Sequence, residues 1–255
     1  MKWRFVNTGF HEGSFNMAYD ECIARELADG RSLPTLRVYG WSPRAISVGR
    51  HQPMEAFDFP SLERAGIDIV RRPTGGKAIL HAHELTYSVV TRSPDGGLRD
   101  LYRRINMGIL QGLRILGINA GLQETGADFR TLYADPSAVA CFSSFAKSEI
   151  QFEGRKLIGS AQRRYGNVVL QHGSFLLDDS HLDIVRYLPA GGGPGREAIR
   201  ALLEESTCDA RAILGREVGF QEASEAIRDG FARAWEIQFT DQEPAQAPER
   251  LHSTF

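Results

Sequence analysis

The sequence predicts an α+β (mixed α/β) fold in which mixed sheets carry packed helices. Short strand-like runs, separated by glycine, proline and serine turns, dominate residues 36–90 and 150–177. Two other segments place apolar residues at helical spacing. With 255 residues and 42% hydrophobic content, the chain can bury a large core. We therefore expect a single domain over residues 1–240 and a polar tail over 241–255.

The first half of the chain is predicted to hold two helices with strands between them. Asn16 or Ser14 would cap the first helix, and Gly30 would stop it after about Ala28. Strand-like runs follow at residues 36–39, 45–49, 67–70 and 85–90. Between about residues 100 and 116, apolar side chains repeat every four positions and Gly117 ends the pattern, which predicts a core helix.

The second half begins with strands and ends with helices. Runs at 150–152, 157–158 and 168–170 are separated by turns at Gly154 and Gly166, which predicts two hairpins. A glycine-rich break at 191–193 precedes a helix that begins near Arg196. A last helix is predicted over about residues 222–236, with its apolar side facing inward through Ala226, Ile227, Phe231 and Trp235.

Composition and charge argue against several classes of protein. A net charge of -2 and a pI near 6.4 provide no overall attraction to nucleic acid or to an anionic membrane. Cys22, Cys141 and Cys208 are far apart and lack CxxC spacing, so neither a disulfide framework nor a zinc site is predicted. No signal-peptide core and no apolar run of roughly 20 residues is present. We expect a cytoplasmic protein that binds no metal.

The first motif that could bind a ligand is Arg71-Arg72-Pro73-Thr74-Gly75-Gly76-Lys77, directly after a predicted strand. Glycine backbone can approach a ligand closely, and the N–H groups and cations beside it suit a carboxylate, a phosphate or an acyl carbonyl. A plain glycine turn flanked by solvated arginines is the alternative interpretation. His81 lies four residues beyond the motif.

The second motif, Gly154-Arg155-Lys156-Leu157-Ile158-Gly159-Ser160-Ala161-Gln162, places a lysine among small residues on a strand. Its ammonium could polarise an acyl carbonyl or lower the pKa of a nearby thiol. Cys141 lies fifteen positions earlier, which suggests a cysteine that carries an acyl group and a lysine that activates it. An exposed hairpin lysine is the alternative. Gln171-His172-Gly173-Ser174 follows one hairpin later and could line the same pocket.

These three motifs, in this order, closely resemble those of the lipoate-biotin protein ligase superfamily. Within it the chain looks most like the octanoyltransferases of the LipM type, in which a cysteine ahead of the lysine motif takes an octanoyl group from acyl carrier protein. The family passes that group to a lysine of a lipoyl domain, commonly the glycine cleavage H protein. The resemblance implies a lipoate/biotin protein ligase-like catalytic domain.

Carried over to this chain, the resemblance makes Cys141 the nucleophile and Lys156 the group that lowers its pKa. It also implies that the substrate is bound by residues in the three motifs or just beyond the first of them, namely Arg72, Thr74, Gly75, Gly76, Lys77, His81, Gly159, Ser160, Ala161, His172 and Gly173. No cofactor is expected, because exchange of one thioester for another needs no ATP. The expected partners are octanoyl-acyl carrier protein as donor and a lipoyl domain as acceptor.

Three alternatives stay open. An ATP-dependent lipoate ligase would use the glycine loop and Lys156 for an acyl-adenylate and would leave Cys141 buried. Such ligases commonly carry a third glycine where this chain has Lys77. An amidotransferase that moves octanoyl groups between lipoyl domains would use Cys141 but ignore acyl carrier protein. A lipoyl-domain binding module would keep the fold without turnover. Cys208, in an acidic setting that would raise its pKa, and Cys22 are expected to be structural.

Overall fold

The computed structural model of the chain describes residues 1–93, 97–123, 149–189 and 195–241. The strands are β1 (Lys2–His11), β2 (Thr35–Trp41), β3 (Ala45–Val48), β4 (Asp68–Arg71), β5 (Ile79–His81), β6 (Glu84–Arg92), β7 (Gly121–Leu122), β8 (Ile150–Phe152), β9 (Arg155–Tyr165), β10 (Val168–Leu176) and β11 (Gln238–Asp241). The helices are α1 (Gly13–Ala28), α2 (Phe59–Arg64), α3 (Leu98–Ile115), α4 (Arg196–Ser206), α5 (Ala210–Leu214) and α6 (Phe220–Trp235), with 3₁₀ segments at Met54–Ala56 and Asp179–Tyr187.

The strands form two mixed sheets. The larger has the order β11-β1-β2-β6-β10-β9-β8-β7, and the smaller has the order β4-β3-β5. In the larger sheet β1 runs parallel to β2 and β11, and the other neighbours are antiparallel. In the smaller sheet β3 is parallel to β4 and antiparallel to β5. The predicted fold class, mixed sheets with packed helices, is confirmed.

The main core lies between the larger sheet and helices α3 and α6. These helices approach so closely that a Cβ on Gly230 would lie 2.0 Å from the backbone nitrogen of Gly112. Helix α1 packs on the opposite face of the sheet, where Tyr19 and Ile23 contact apolar side chains of β6 and β10. A separate cluster joins the smaller sheet to α2, α4 and the second 3₁₀ segment. The larger sheet is therefore covered on both faces.

The predicted helices and hairpins are found close to their expected bounds. Strongly periodic apolar spacing located α3 and α6, and the turns at Gly154 (φ 78°) and Gly166 (φ 58°) have the left-handed backbone that glycine favours. The predicted side-chain cap of α1 is wrong. Its N-cap is Glu12, without a capping side chain, and Asn16 lies inside the helix, fully buried, where its amide donates to His11 O and Gly40 O.

Several elements were not predicted from the sequence. Strand β1 fills the N-terminal segment and pairs with β11, which ends at Asp241. The rest of the tail expected over 241–255 lies outside the described residues, as does the glycine break at 191–193. Within the residues that the structure describes, none of the helices has the length and apolar character that crossing a membrane requires.

Candidate active site

The loop of residues 72–77 is shaped by Arg72 from inside the protein. Its guanidinium donates hydrogen bonds to the carbonyl oxygens of Ser47 (2.9 Å), Gly75 (2.8 Å) and Lys77 (2.7 Å). Only 6% of Arg72 is exposed, and Lys77 is buried as well. The arginine is therefore not solvated, because its donors satisfy the turning backbone of the loop.

The two glycines of this loop have different surroundings. Gly76 adopts φ 95°, and its carbonyl oxygen approaches so near to Gly49 that a Cβ there would lie 1.8 Å away. A Cβ on Gly75, in contrast, would meet no atom within 4 Å. Both glycines are partly exposed. Gly75 therefore presents its backbone to open space, as a loop that receives a ligand requires.

His81 lies in the core behind the loop. Its ring stacks on Trp41 with centroids 3.9 Å apart, and its Nε2 is 2.8 Å from Ser47 Oγ. Burial lowers the pKa of His81, with Glu84 acting in the opposite direction. The 3.5 Å between His81 Nδ1 and Glu84 Oε1 is too long for a good hydrogen bond. His81 is thus a neutral core imidazole in direct contact with Ser47, which Arg72 also binds.

Glu84 lies in the core and does not pair with its sequence neighbour His83. It is 3% exposed and accepts hydrogen bonds from Thr86 (2.7 Å) and from the Ser174 hydroxyl. His83 instead lies 3.3 Å from the Asp178 carboxylate. Because strand residues alternate between faces, β6 carries Glu84 and Thr86 on the same face of the sheet, and both faces are buried along most of this strand.

The register of β9 and β10 brings the second and third motifs together. The paired residues are Gly159 with Ser174, Ser160 with Gly173, and Ala161 with His172. A Cβ on Gly173 would lie 2.6 Å from Ser160 Oγ and 2.7 Å from Tyr87 Cε1. The absent side chain lets the Tyr87 hydroxyl reach Ser160 Oγ at 2.7 Å. Gly173 is therefore required for packing within the site.

Tyr87, Tyr102 and Asn106 form a polar group around Ser160 that the sequence analysis missed. Tyr102 OH lies 3.3 Å from Ser160 O, and Tyr87 OH lies 3.3 Å from Asn106 Oδ1. Burial raises the pKa of Tyr87 to about 12 and that of Tyr102 well above its usual value, and the Glu149 carboxylate adds to both shifts. Both phenols therefore stay protonated donors at neutral pH. The four-residue spacing of Tyr102 and Asn106 on α3 was a usable signal.

Lys156 is buried and paired rather than exposed on a hairpin. Its Nζ lies 2.8 Å from Glu149 Oε1, and the two residues are 1% and 4% exposed. Its backbone oxygen accepts from Cys208 N at 3.1 Å, and Thr207 forms a parallel bridge to it. Glu149 was not among the predicted site residues. Its position directly before β8, the strand paired with β9, explains why the fold brings it to Lys156.

Two contacts connect the first motif to the strands that carry the other two. Thr74 Oγ1 lies 2.7 Å from His172 Nε2, and Arg163 donates to Pro73 O at 3.2 Å. The 72–77 loop is therefore attached to both β9 and β10. The described residues of all three motifs lie in one connected part of the molecule, with Gly75, Ser160 and neighbouring small residues at its accessible surface.

Two of the three cysteines, Cys22 and Cys208, lie within the described residues. Cys141 lies outside the described residues. Cys208 is 3% exposed, and burial raises its pKa to about 11, with smaller contributions from Asp209 and Glu153. Burial also raises the pKa of Cys22 on α1. The expected direction for Cys208 is confirmed, although burial rather than its acidic neighbours is the main cause.

Across 1–93, 97–123, 149–189 and 195–241, no three histidine, cysteine, aspartate or glutamate side chains come together in a way that could hold a metal ion. The polar groups around the 72–77 loop instead satisfy one another through hydrogen bonds.

Comparison with known proteins gives consistent matches. The model of the lipoyl protein ligase A/B catalytic domain matches residues 12–232. A protein named octanoyltransferase LipM from Symbiobacterium thermophilum is 41% identical over 251 residues, covering 97% of this chain and 90% of that protein. One with the same name from Kyrpidia tusciae is 40% identical over 237 residues, covering 91% and 86%.

A solved structure supports the fold. A bipartite lipoate protein ligase from Thermoplasma acidophilum matches with a TM-score of 0.79 at 23% identity, covering 97% of this chain and 89% of that one. At this identity the likeness concerns the fold, which is that of a lipoate protein ligase.

Proposed function

Because the chain belongs to the lipoyl protein ligase A/B catalytic-domain family, and within it to the octanoyltransferases of the LipM type, we propose that it transfers octanoyl groups to lipoyl domains in lipoate biosynthesis. The donor is octanoyl-acyl carrier protein, and the intermediate is a thioester on Cys141. The acceptor is a lysine of a lipoyl domain such as glycine cleavage H protein. Transfer takes place in the cytoplasm, without a cofactor.

The observation that carries the proposal is the buried Lys156–Glu149 pair beside the Gly159-Ser160-Ala161 strand. A lysine held at 2.8 Å from a carboxylate has a fixed position. An ammonium fixed on the strand that carries these small residues suits a reaction in which negative charge develops on a thiolate and then on a carbonyl oxygen. The exposed hairpin lysine of the alternative interpretation would lack this preorganisation.

The proposed reaction has two balanced steps. The Cys141 thiolate attacks the carbonyl carbon of the donor thioester, and the carrier thiolate leaves and takes up a proton. The acceptor amine then attacks the Cys141 thioester, loses a proton and forms an amide as the Cys141 thiolate departs. Neither step consumes ATP, because one thioester replaces another and the final amide is more stable than both.

The described site residues supply binding and orientation. The 72–77 loop, with Gly75 facing open space, receives the acyl carbonyl region of the donor. Ser160 and its neighbours Gly159 and Ala161 line the same surface, and His172–Gly173 lie directly across the strand pair. Arg72 and His81 support the 72–77 loop from inside the protein, because both bind Ser47.

The direct test is transfer in a purified system without ATP. The unmodified protein should move the octanoyl group from its carrier to a lipoyl domain, and Cys141→Ala should fall to background. Cys208→Ala is the matched control and should keep the parent rate, because Cys208 is buried with a raised pKa. Transfer that needs ATP and free octanoate and that tolerates Cys141→Ala would instead identify a ligase.

A further inference from the structure

Three buried side chains form a hydrogen-bonded chain that ends at the 72–77 loop. Thr74 Oγ1 lies 2.7 Å from His172 Nε2, and His172 Nδ1 lies 3.1 Å from Asp20 Oδ2. They come from the loop, from β10 and from α1, and they are 1%, 6% and 0% exposed. The chain thus fastens an otherwise irregular segment to two regular elements.

The surroundings of Asp20 set the direction of these hydrogen bonds. Burial alone would raise the pKa of Asp20, but Arg37 and His172 outweigh it and hold the pKa below its ordinary value. Arg37 Nη1 donates to Asp20 Oδ1 at 2.9 Å, and Tyr39 OH donates to Asp20 Oδ2 at 3.0 Å. An ionised carboxylate only accepts, so His172 Nδ1 carries the proton that points at Asp20. His172 Nε2 is then directed at the Thr74 hydroxyl.

Arg37 makes the far end of this chain rigid. It is fully buried, its Nη2 donates to Asn16 Oδ1 at 2.7 Å, and its guanidinium lies 3.8 Å from the ring centroid of Tyr39. Asp20 therefore cannot rotate without breaking several charge-assisted hydrogen bonds. A rigid carboxylate fixes the imidazole, which in turn fixes the threonine.

A hydroxyl, an imidazole and a carboxylate in a row are also the parts of a hydrolytic triad. Thr74 is only 1% exposed, however, so no carbonyl carbon can reach its oxygen. The same burial explains what the chain of contacts does instead. It fixes the position of the two residues that follow Thr74. These are Gly75 and Gly76, whose backbone is accessible.

We propose that Asp20 and His172 are positioning residues that act through Thr74 to hold the Gly75–Gly76 backbone in its ligand-receiving shape. Arg72 binds Gly75 O and, beyond the glycines, Lys77 O. The two attachments lie on either side of the glycines and prevent the loop from collapsing into the open space next to Gly75. That the ligand is an octanoyl donor rests on the proposed function.

The test compares Thr74→Val with Thr74→Ser. Valine keeps the branched shape and removes the hydroxyl, whereas serine keeps the hydroxyl. Amide hydrogen exchange of the peptide that covers residues 71–80 should be roughly 10-fold faster in Thr74→Val, because a buried hydrogen bond to the loop is lost. Thr74→Ser should recover most of that protection. In transfer assays Thr74→Val should raise KM for the octanoyl donor roughly 10-fold, with a smaller change in kcat.

A matched control separates positioning from general destabilisation. Thr35 is also fully buried, and its hydroxyl donates to Leu33 O at 3.0 Å, away from the loop. Thr35→Val should leave the exchange of the 71–80 peptide at the parent rate. His172→Gln should speed that exchange, and combining it with Thr74→Val should add little, because both changes cut the same chain.

The outcomes distinguish the two proposals. Unchanged exchange of the loop in Thr74→Val and His172→Gln would overturn the positioning role, whatever the protein catalyses. A loss of transfer in Thr74→Val without faster exchange would also overturn it, because Thr74 would then act on the substrate directly. Faster exchange in a protein that transfers no octanoyl group would support positioning and refute the proposed function.

Discussion

The buried ion pair of Lys156 and Glu149 allows a quantitative prediction. At 2.8 Å and an effective dielectric constant of about 20, the attraction between the two charges is about 6 kcal/mol. Each ion loses several kcal/mol of hydration on burial, so the intact pair contributes little net stability. If one charge is removed, the other stays buried without its hydration, and the attraction between the two charges is lost. We therefore expect Glu149→Gln and Lys156→Met each to lower the free energy of unfolding by about 3–5 kcal/mol.

The double variant Glu149→Gln/Lys156→Met should be more stable than either single variant, because no charge is then left buried. Urea unfolding, followed by both tryptophan fluorescence and circular dichroism, measures all four proteins and checks that the transitions coincide. If Glu149→Gln unfolds within about 1 kcal/mol of the parent, or if the double variant loses the sum of the two single effects, the pair is not the coupled unit that the structure shows.

Further predictions concern packing, acid stability and thiol reactivity. Gly230→Ala should lower the free energy of unfolding by more than about 2 kcal/mol, because its Cβ would lie 2.0 Å from Gly112 N. The control Gly121→Ala, whose Cβ would meet no atom within 4 Å, should change the urea midpoint little. Equal midpoints for the two variants would contradict this prediction. Burial lowers the pKa of His181 to about 4 from 6.5, so the unfolded chain gains a proton first as the pH falls. Stability should drop by up to ~3 kcal/mol between about pH 6.5 and 4, and His181→Gln should flatten that slope; parallel profiles would refute the assignment. Iodoacetamide at about pH 7.5 should leave Cys208 unmodified in the folded protein, because the pKa of Cys208 is raised to about 11. Peptide mass mapping measures the labelling, and rapid labelling of Cys208 would show that the thiol is accessible.

The fold was largely predictable where periodicity is strong. Helices α3 and α6 bury one regular face, and the hairpins of β8, β9 and β10 are marked by glycines in left-handed turns. Strand β1 was missed. It pairs with β2 across the intervening helix α1 and with β11, which joins it from the other end of the described chain. Local patterns do not report such long-range pairing.

The site was predictable as motifs but not as a network. The glycine loop, Lys156 and His172 carry recognisable local sequences. Asp20 and Glu149, in contrast, are single acidic residues in ordinary surroundings, and only the tertiary fold brings them to His172 and Lys156. Asn16 is a further example. In the sequence it resembles a helix cap, because it is a polar residue near a helix start, whereas in the structure its side chain accepts a hydrogen bond from Arg37.

In the proposed function Cys141 carries the acyl group, and intact-protein mass spectrometry can detect that group on the protein. The protein and its Cys141→Ala variant are incubated with octanoyl-acyl carrier protein in the absence of ATP. An added octanoyl mass of about 126 Da on the parent alone, removed by hydroxylamine, is the predicted result. A parent protein that gains no mass, together with a lipoyl domain that becomes acylated once ATP and free octanoate are supplied, would contradict the account.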